Sequence, residues 1–115
     1  MGDVEYVKVV PDAEKRTSNK LTEFEIANLL SHRVGQIERD SPVFIDIEDF
    51  DSPYLIALKE LLERKNPLIL NREIETPDGI IVEKFKVREM DIDGFATKIR
   101  AMSSDQIKKY LKKLA

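Results

Sequence analysis

Residues 21–37 have the sequence LTEFEIANLLSHRVGQI, and this stretch decides the first half of the fold. Thr22 can cap a helix with its side chain, and Glu25 three positions later completes a capping box. On a helical wheel one sector is apolar, comprising Leu21, Ile26, Ala27, Leu30, Val34 and Ile37. Glu25, Asn28 and His32 lie on the opposite face. The pattern predicts a helix over about residues 23–38, packed on a core by its apolar sector and with a solvated His32.

A second helix start follows at Ser52 and Pro53, where Ser is a favourable cap and Pro suits the first helical position. The predicted helix covers about residues 53–65, and its apolar face contains Tyr54, Leu55, Leu58, Leu61 and Leu62. Ile56 falls outside this face, among the four-apart charge pairs Lys59 with Glu63 and Glu60 with Arg64. The wheel therefore predicts that Ile56 projects among charged side chains. Residues 39–52, between the helices, are expected to begin as a turn and continue as a short extended segment.

Strand signals flank the two helices. Residues 4–10 are β-prone and end at Pro11, and residues 11–20 are a polar connector. After Asn66 and Pro67, residues 68–70 start a strand, TPDG at 76–79 forms a tight turn, and residues 80–87 return. Gly79 is expected to have a positive φ. The predicted fold class is α+β, with two core helices, a C-terminal β-hairpin and a C-terminal helical extension.

The extension is amphipathic and basic. Residues 95–102 favour one or two helical turns, and Ser103 with Gln106 forms a second capping box. The helix that follows has an apolar face of Ile107, Tyr110, Leu111 and Leu114 and a basic face of Lys108, Lys109, Lys112 and Lys113. The favoured interpretation is that the apolar face docks on the chain's own body or on a partner. Contact of the lysines with nucleic-acid phosphates is the second alternative, and a membrane surface is the least favoured.

Composition excludes several classes of protein. The chain has 115 residues, 42% hydrophobic and 36% charged, which indicates one folded domain with an ionic surface. It has no Cys and one His, so disulfides, thiolate sites and multi-histidine metal cages are excluded. No apolar run reaches the length of a membrane span and the acidic start lacks a signal core, so we expect a soluble intracellular protein. Residues 1–94 carry 13 basic and 21 acidic residues, whereas residues 95–115 carry six and one.

No motif predicts catalysis or a cofactor. The acidic run of Asp46, Glu48, Asp49 and Asp51 lacks the Gly of a calcium loop, so a solvated loop is favoured over a metal site. The Gly residues are too scattered for a phosphate-binding loop. Arg33 and Gln36 lie at the edge of the first helix's apolar sector, where the sequence alone favours an Arg stem that covers the core rim.

Several ordered motifs resemble one family. They are TEFE at 22–25 followed by Ala27, Leu30, Arg33, Gln36 and Ile37, then PVFIDIE at 42–48, Pro53, IALKEL at 56–61, Lys65-x-Pro67-Leu68 and PDG at 77–79. Together they are similar to the small subunit shared by eukaryotic RNA polymerases I, II and III, the archaeal subunit K and the bacterial omega subunit. The resemblance covers about residues 14–90. TSN at 17–19 and REM at 88–90 resemble the versions encoded by large DNA viruses, so a viral source is one of two that the resemblance implies.

The resemblance implies a non-catalytic subunit of a DNA-directed RNA polymerase, with no cofactor, that clamps the largest subunit and supports assembly. It implies a partner interface formed by Thr22, Phe24, Glu25, Arg33, Gln36, Ile56 and Lys59. It further implies contact with other polymerase subunits, nucleic acid only through the complex, no membrane and no homo-oligomer. The expected location is the nucleus for a cellular source, or the virion and host cytoplasm for a viral one. The alternative is a free-standing transcription regulator that binds nucleic acid through Lys108, Lys109, Lys112 and Lys113.

The expected domain organisation follows the extent of the resemblance. Residues 1–20 are the N-terminal strand and connector, residues 21–92 the omega/subunit K-like domain, and residues 93–115 the basic helical extension. Because the resemblance ends near Met90, the extension is expected to be an accessory element. Deleting residues 95–115 is therefore expected to leave a folded domain.

Overall fold

Helix α1 extends from Glu23 to Glu38 and begins at the predicted capping box. In the computed structural model, which describes residues 7–48 and 51–114, the Thr22 hydroxyl accepts a hydrogen bond from the Glu25 N–H. The Glu25 carboxylate in turn accepts one from the Thr22 N–H. These bonds satisfy backbone donors that lack partners at a helix start. The predicted helix over residues 23–38 is confirmed, and His32 is exposed as expected.

Helix α2 extends from Pro53 to Leu62 and also begins as predicted, because the Ser52 hydroxyl accepts a hydrogen bond from the Leu55 N–H. The predicted end near residue 65 is wrong. Arg64 has a φ of 58°, in the left-handed region that a right-handed helix excludes. Its guanidinium donates to the Met90 carbonyl and the Asp93 carboxylate, so the turn after α2 is attached to the C-terminal part of the chain.

The face of α2 that meets the core differs from the predicted one. Its buried residues are Ile56, Ala57, Leu58, Glu60 and Leu61. Tyr54 and Leu55, which were predicted to face the core, are 36% and 39% exposed. The prediction that Ile56 projects among charged side chains is wrong, because Ile56 is only 6% exposed. Lys59 and Glu60 pair with Asp51 and Arg33 rather than with residues four positions along the helix.

A three-stranded mixed sheet has the order β1-β3-β2. Strands β2 (Ile69–Thr76) and β3 (Gly79–Lys86) form the predicted hairpin, with Pro77 and Asp78 as its two-residue turn. Gly79 has a φ of 124°, as expected. Strand β1 (Val7–Val9) pairs in parallel with β3, a pairing that the sequence did not predict. Of the predicted strand over 4–10, residues 4–6 lie outside the described residues.

The C-terminal extension forms two helices that complete the core. Helix α3 extends from Asp93 to Arg100 and α4 from Ser104 to Leu114. The second capping box is confirmed, because Ser103 and Gln106 exchange hydrogen bonds between side chain and backbone. One core cluster contains Leu21, Ile26, Leu29, Leu30, Ala57, Leu58, Leu61, Phe85, Val87, Met90, Ile92, Phe95, Ile99 and Leu111. The fold is α+β, and the extension is part of its core, so deleting residues 95–115 would remove three of these side chains.

Candidate partner interface

Arg33 on α1 and Glu60 on α2 form a buried ion pair. The Arg33 Nε atom lies 2.6 Å from Glu60 Oε1, and Arg33 Nη2 lies 2.9 Å from Glu60 Oε2. The two side chains are 2% and 0% exposed. Breaking a buried bidentate ion pair costs much free energy, because removing one partner leaves an unpaired charge in the interior. The guanidinium that was expected at a partner interface is therefore bound within the chain.

The same pair fixes the linker between α1 and α2. Arg33 Nη2 donates to the Pro42 carbonyl at 2.6 Å, and the Phe44 N–H donates to Glu60 at 3.1 Å. Arg33 Nη1 donates to the Gln36 side chain at 3.0 Å. Residues 41–48 form no strand, and these hydrogen bonds define the path of the segment. Phe44 itself is 54% exposed.

Lys59 of α2 forms an ion pair with Asp51 at the C-terminal end of the linker. Its Nζ atom lies 2.9 Å from Asp51 Oδ2, and the Asp51 carboxylate also accepts the Glu48 N–H at 3.0 Å. The Glu48 hydrogen bond and the Lys59 ammonium both hold the pKa of Asp51 below its ordinary value. The Asp51 carboxylate likewise raises the pKa of Lys59. Of the acidic run, Asp51 is thus structural, and Asp49 lies outside the described residues.

A second charge cluster centres on Arg72 of β2. Its Nε and Nη2 atoms lie 2.8 and 2.9 Å from the two Glu25 carboxylate oxygens. The guanidinium also donates to the Thr17 hydroxyl and to the Ser18 and Lys20 carbonyls. The Arg72 hydrogen bonds hold the pKa of Glu25 below its usual range, and Glu25 raises the pKa of Arg72. Glu25 therefore caps α1 and attaches it to the sheet.

Glu83 of β3 holds the connector from the other side. Its buried carboxylate accepts hydrogen bonds from the Arg16 and Thr17 backbone N–H groups and from the Thr17 hydroxyl. Burial raises the pKa of Glu83, but these hydrogen bonds outweigh burial and leave the pKa below its ordinary value. Together Glu83 and Arg72 fix the connector against the sheet.

The seven residues implied by the resemblance separate into two groups. Thr22 and Phe24 are exposed, and the exposed fraction of Phe24 is 72%. The others, Glu25, Arg33, Gln36, Ile56 and Lys59, contact residues of their own chain or are buried in it. Arg33 is hydrogen-bonded to Gln36, and Thr22 to Glu25, but no hydrogen bond joins the first pair to the second within the described residues.

Three residues that organise these clusters were missed in the sequence. Glu83 carried a signal, since it interrupts an apolar run from Ile80 to Val82 in a predicted strand. The signal at Glu60 was misleading. Arg64, four positions later, is a plausible local partner, whereas the actual partner, Arg33, lies 27 residues earlier. Arg72 lies in an alternating strand segment where nothing distinguishes it from a solvated residue.

A groove of about 580 Å³ lies between α1 and β2. Phe24 and His32 line it from α1, and Ile69 and Asn71 line it from β2. Phe24 and Ile69 are 72% and 48% exposed, although both are large apolar side chains. Strand β2 is at the edge of the sheet, and its outer backbone groups have no strand partner within the part of the chain that the structure describes. Exposed apolar side chains beside an open strand edge are typical of a protein-binding surface.

Other exposed apolar side chains lie on the linker and at the start of α2. Phe44 and Ile47 are 54% and 55% exposed, and Tyr54 and Leu55 are 36% and 39% exposed. Partial burial of its hydroxyl nevertheless raises the pKa of Tyr54. These side chains are a second candidate contact surface.

Residues 7–48 and 51–114 contain neither a cluster of metal-ligating side chains nor a membrane-spanning helix. No three His, Cys, Asp or Glu side chains in these residues lie close enough together to hold a metal ion. None of the helices described there is long and apolar enough to cross a membrane.

The chain is similar to several polymerase subunits. The DNA-directed RNA polymerases I, II, and III subunit RPABC2 of Saccharomyces cerevisiae is 38% identical over 86 residues, which cover 75% of this chain and 54% of the yeast protein. The DNA-directed RNA polymerase subunit 6 homolog of an African swine fever virus isolate is 43% identical over 86 residues, or 73% of this chain and 58% of the viral protein. The Dictyostelium discoideum subunit rpabc2 is 35% identical over 83 residues, or 72% and 60% of the two chains.

The chain thus spans a little over half of the length of these relatives. No family model matches it.

Proposed function

The chain is a homologue of the small common subunits of eukaryotic and viral DNA-directed RNA polymerases, and we propose that it is a non-catalytic structural subunit of such an enzyme. The observation that supports this proposal is the identity of 38% and 43% to a cellular and a viral polymerase subunit, each over 86 residues. On this proposal α1, α2 and the hairpin adopt the omega/subunit K-like arrangement, and the chain acts as a single copy within the enzyme.

The proposed mechanism is binding without chemistry. A small subunit that holds distant parts of the largest subunit together reduces the conformational entropy that the large chain must lose during assembly. Because it binds the folded state of its partner, it also stabilises that state by mass action. A rigid binding surface favours this role, since little conformational freedom is then lost on association.

We assign the contact with the largest subunit to the groove between α1 and β2. Phe24 and Ile69 are its exposed apolar side chains and supply the area that a partner would bury. Glu25 and Arg72, whose carboxylate and guanidinium lie 2.8 Å apart, join α1 to β2 and fix the two walls of the groove relative to each other. Thr22 positions the first turn of α1 through the capping box.

The remaining residues of the predicted interface act as positioning residues in this proposal. Arg33 and Gln36 fix the linker, Lys59 fixes its far end, and Ile56 packs in the core. Each of them maintains the shape of the subunit rather than touching the partner.

Co-purification tests the proposed function. Tagged chain expressed in its source cells, or in infected cells for a viral source, should recover the largest polymerase subunit at a fixed molar ratio, measured by mass spectrometry. Failure of the unaltered chain to recover polymerase would refute the subunit role.

A matched pair of variants tests the assigned surface. Phe24→Asp should abolish recovery, whereas Val7→Asp, the introduction of the same carboxylate at an exposed apolar residue outside both candidate surfaces, should retain it. Equal losses from the two variants would show that the groove is not the contact surface, even if the chain is a subunit.

The location follows from the proposed function. A cellular version would act in the nucleus, and a viral version in the virion and the host cytoplasm. Fractionation of cells that express the tagged chain, with detection of polymerase in the same fractions, tests this assignment.

A further inference from the structure

Four lysines form one side of α4. With about 100° between successive residues of a helix, Lys108, Lys109, Lys112 and Lys113 fall within an arc of about 140°. All four are exposed, and none forms an ion pair with a carboxylate in the part of the chain that the structure describes. Asp105, one turn earlier, is the acidic residue on the same side of the helix. We call these four residues the lysine face.

The other side of α4 is held against the body. Leu111 is 4% exposed and belongs to the core cluster. The Tyr110 hydroxyl donates to the Glu23 carboxylate at 2.7 Å, and Lys98 pairs with the same carboxylate. The Tyr110 ring lies 6.4 Å from that of Phe95. Because the apolar side of α4 is occupied, it cannot insert into a lipid surface, and the lysine face is presented outward by a fixed helix.

The charge of this face is local. Residues 1–94 carry 21 acidic and 13 basic residues, so the body repels polyanions, whereas residues 95–115 carry one acidic and six basic residues. Lys108 and Lys112, and likewise Lys109 and Lys113, lie about 6 Å apart along the helix axis. A double-stranded nucleic acid has closely spaced phosphates and releases counterions when ammonium groups replace them.

We propose that the lysine face binds the phosphate backbone of double-stranded DNA without reading its sequence. The duplex is favoured over a single strand because Tyr110, the aromatic residue of α4, lies on the opposite, docked side and no ring is available there for base stacking. This contact goes beyond the proposed function, because the resemblance implies contact with nucleic acid only through the assembled enzyme.

The test measures binding of the full chain to a labelled duplex by fluorescence anisotropy over a range of salt concentrations. If all four lysines contact phosphates, the plot of log K against log salt should have a slope of up to about −3.6. Changing all four lysines to Gln should weaken binding at low salt by about tenfold or more and flatten the slope. Since the four side chains are exposed, circular dichroism should show an unchanged fold.

Two further variants make the test specific. Changing Lys8, Lys65, Lys84 and Lys86 to Gln removes the same charge from exposed positions elsewhere and should alter the affinity by no more than about threefold. Asp105→Asn should strengthen binding, because it removes the acidic residue beside the lysine face.

Several results would overturn the proposal. These are absence of duplex binding at low salt, equal losses from the two quadruple variants, and a slope near zero. Tighter binding of a single strand than of the duplex would overturn the choice of ligand. Binding to phosphatidylserine vesicles that depends on the lysine face, without binding to DNA, would instead assign that face to a membrane.

Discussion

Replacing Glu60 with Gln should destabilise the chain by about 3–5 kcal/mol, because it leaves the Arg33 guanidinium buried without its carboxylate. Glu60 is 0% exposed and accepts two hydrogen bonds from Arg33 and one from the Phe44 N–H. The side-chain amide of Gln keeps the shape but not the charge. With a total stability of roughly 5–15 kcal/mol for a domain of this kind, the loss would be a large share. The melting temperature should fall by about 10 °C or more.

A double-mutant cycle isolates the pair from its surroundings. Glu60→Gln, Arg33→Met and the double variant are unfolded in urea and followed by circular dichroism, since the chain has no Trp. The double variant contains no unpaired charge, so its loss should be smaller than the sum of the single losses by about 2–3 kcal/mol. The exposed pair of Lys98 and Glu23 is the matched control, and its cycle should give no measurable coupling.

Additive losses from the two single variants would refute the argument that Arg33 and Glu60 act as a unit. The cycle also separates a structural role of Arg33 from an interface role. If Arg33→Met leaves the melting temperature unchanged but abolishes recovery with the largest polymerase subunit, Arg33 contacts the partner and the positioning role is wrong.

Three further predictions concern the hairpin, the Arg72 cluster and the extension. Gly79→Val should cost about 1–3 kcal/mol of stability, because Gly79 has a φ of 124°. The control Gly94→Ala should be near neutral, since an added Cβ there meets nothing within 4 Å. Equal melting temperatures for the two variants would contradict this prediction. Arg72 holds the pKa of Glu25 below its ordinary value of 4.5, so the pair stabilises the fold above that pH, and this stabilisation is lost as the pH falls through the lowered pKa. Between pH 6 and pH 3, the melting temperature of Glu25→Gln should therefore fall less than that of the unaltered chain. Parallel curves of melting temperature against pH would contradict this. Deleting residues 95–115 should abolish the cooperative urea transition, because it removes three core side chains, and a retained transition would support the accessory extension instead.

The elements that the sequence predicted well are those specified by neighbouring residues. Thr22 with Glu25 and Ser103 with Gln106 are three positions apart, and both capping boxes are present. The hairpin turn and the positive φ of Gly79 likewise depend on four consecutive residues. In each case the interacting atoms belong to one short segment, so the pattern contains the whole interaction.

The errors arise where a distant partner overrides a local pattern. The helical wheel of α2 placed Glu60 outside the core and Ile56 among charged side chains. In the structure Glu60 is buried, because it forms an ion pair with Arg33 on α1. With Glu60 buried, the core-facing side of α2 includes Ile56 and leaves Tyr54 exposed.

The same limitation applies to the candidate site. Phe24 was predicted as a contact and is exposed, but the groove beside it requires Ile69 from a strand far along the chain. The parallel pairing of β1 and the attachment of the connector through Glu83 are also long-range interactions. No local pattern could indicate which strand they join.

The parallel pairing of β1 has a consequence for the order in which the protein is made. Val7 pairs with Ile80, so β1 leaves the ribosome about 70 residues before its partner strand exists. At roughly 5–20 residues per second, the N-terminal segment waits about 4–14 seconds without a strand to join. Helix α1, whose cap is local, can form during this interval. The parallel pairing can therefore form only after about 70 further residues have been made, when β1 joins a strand that is synthesised much later.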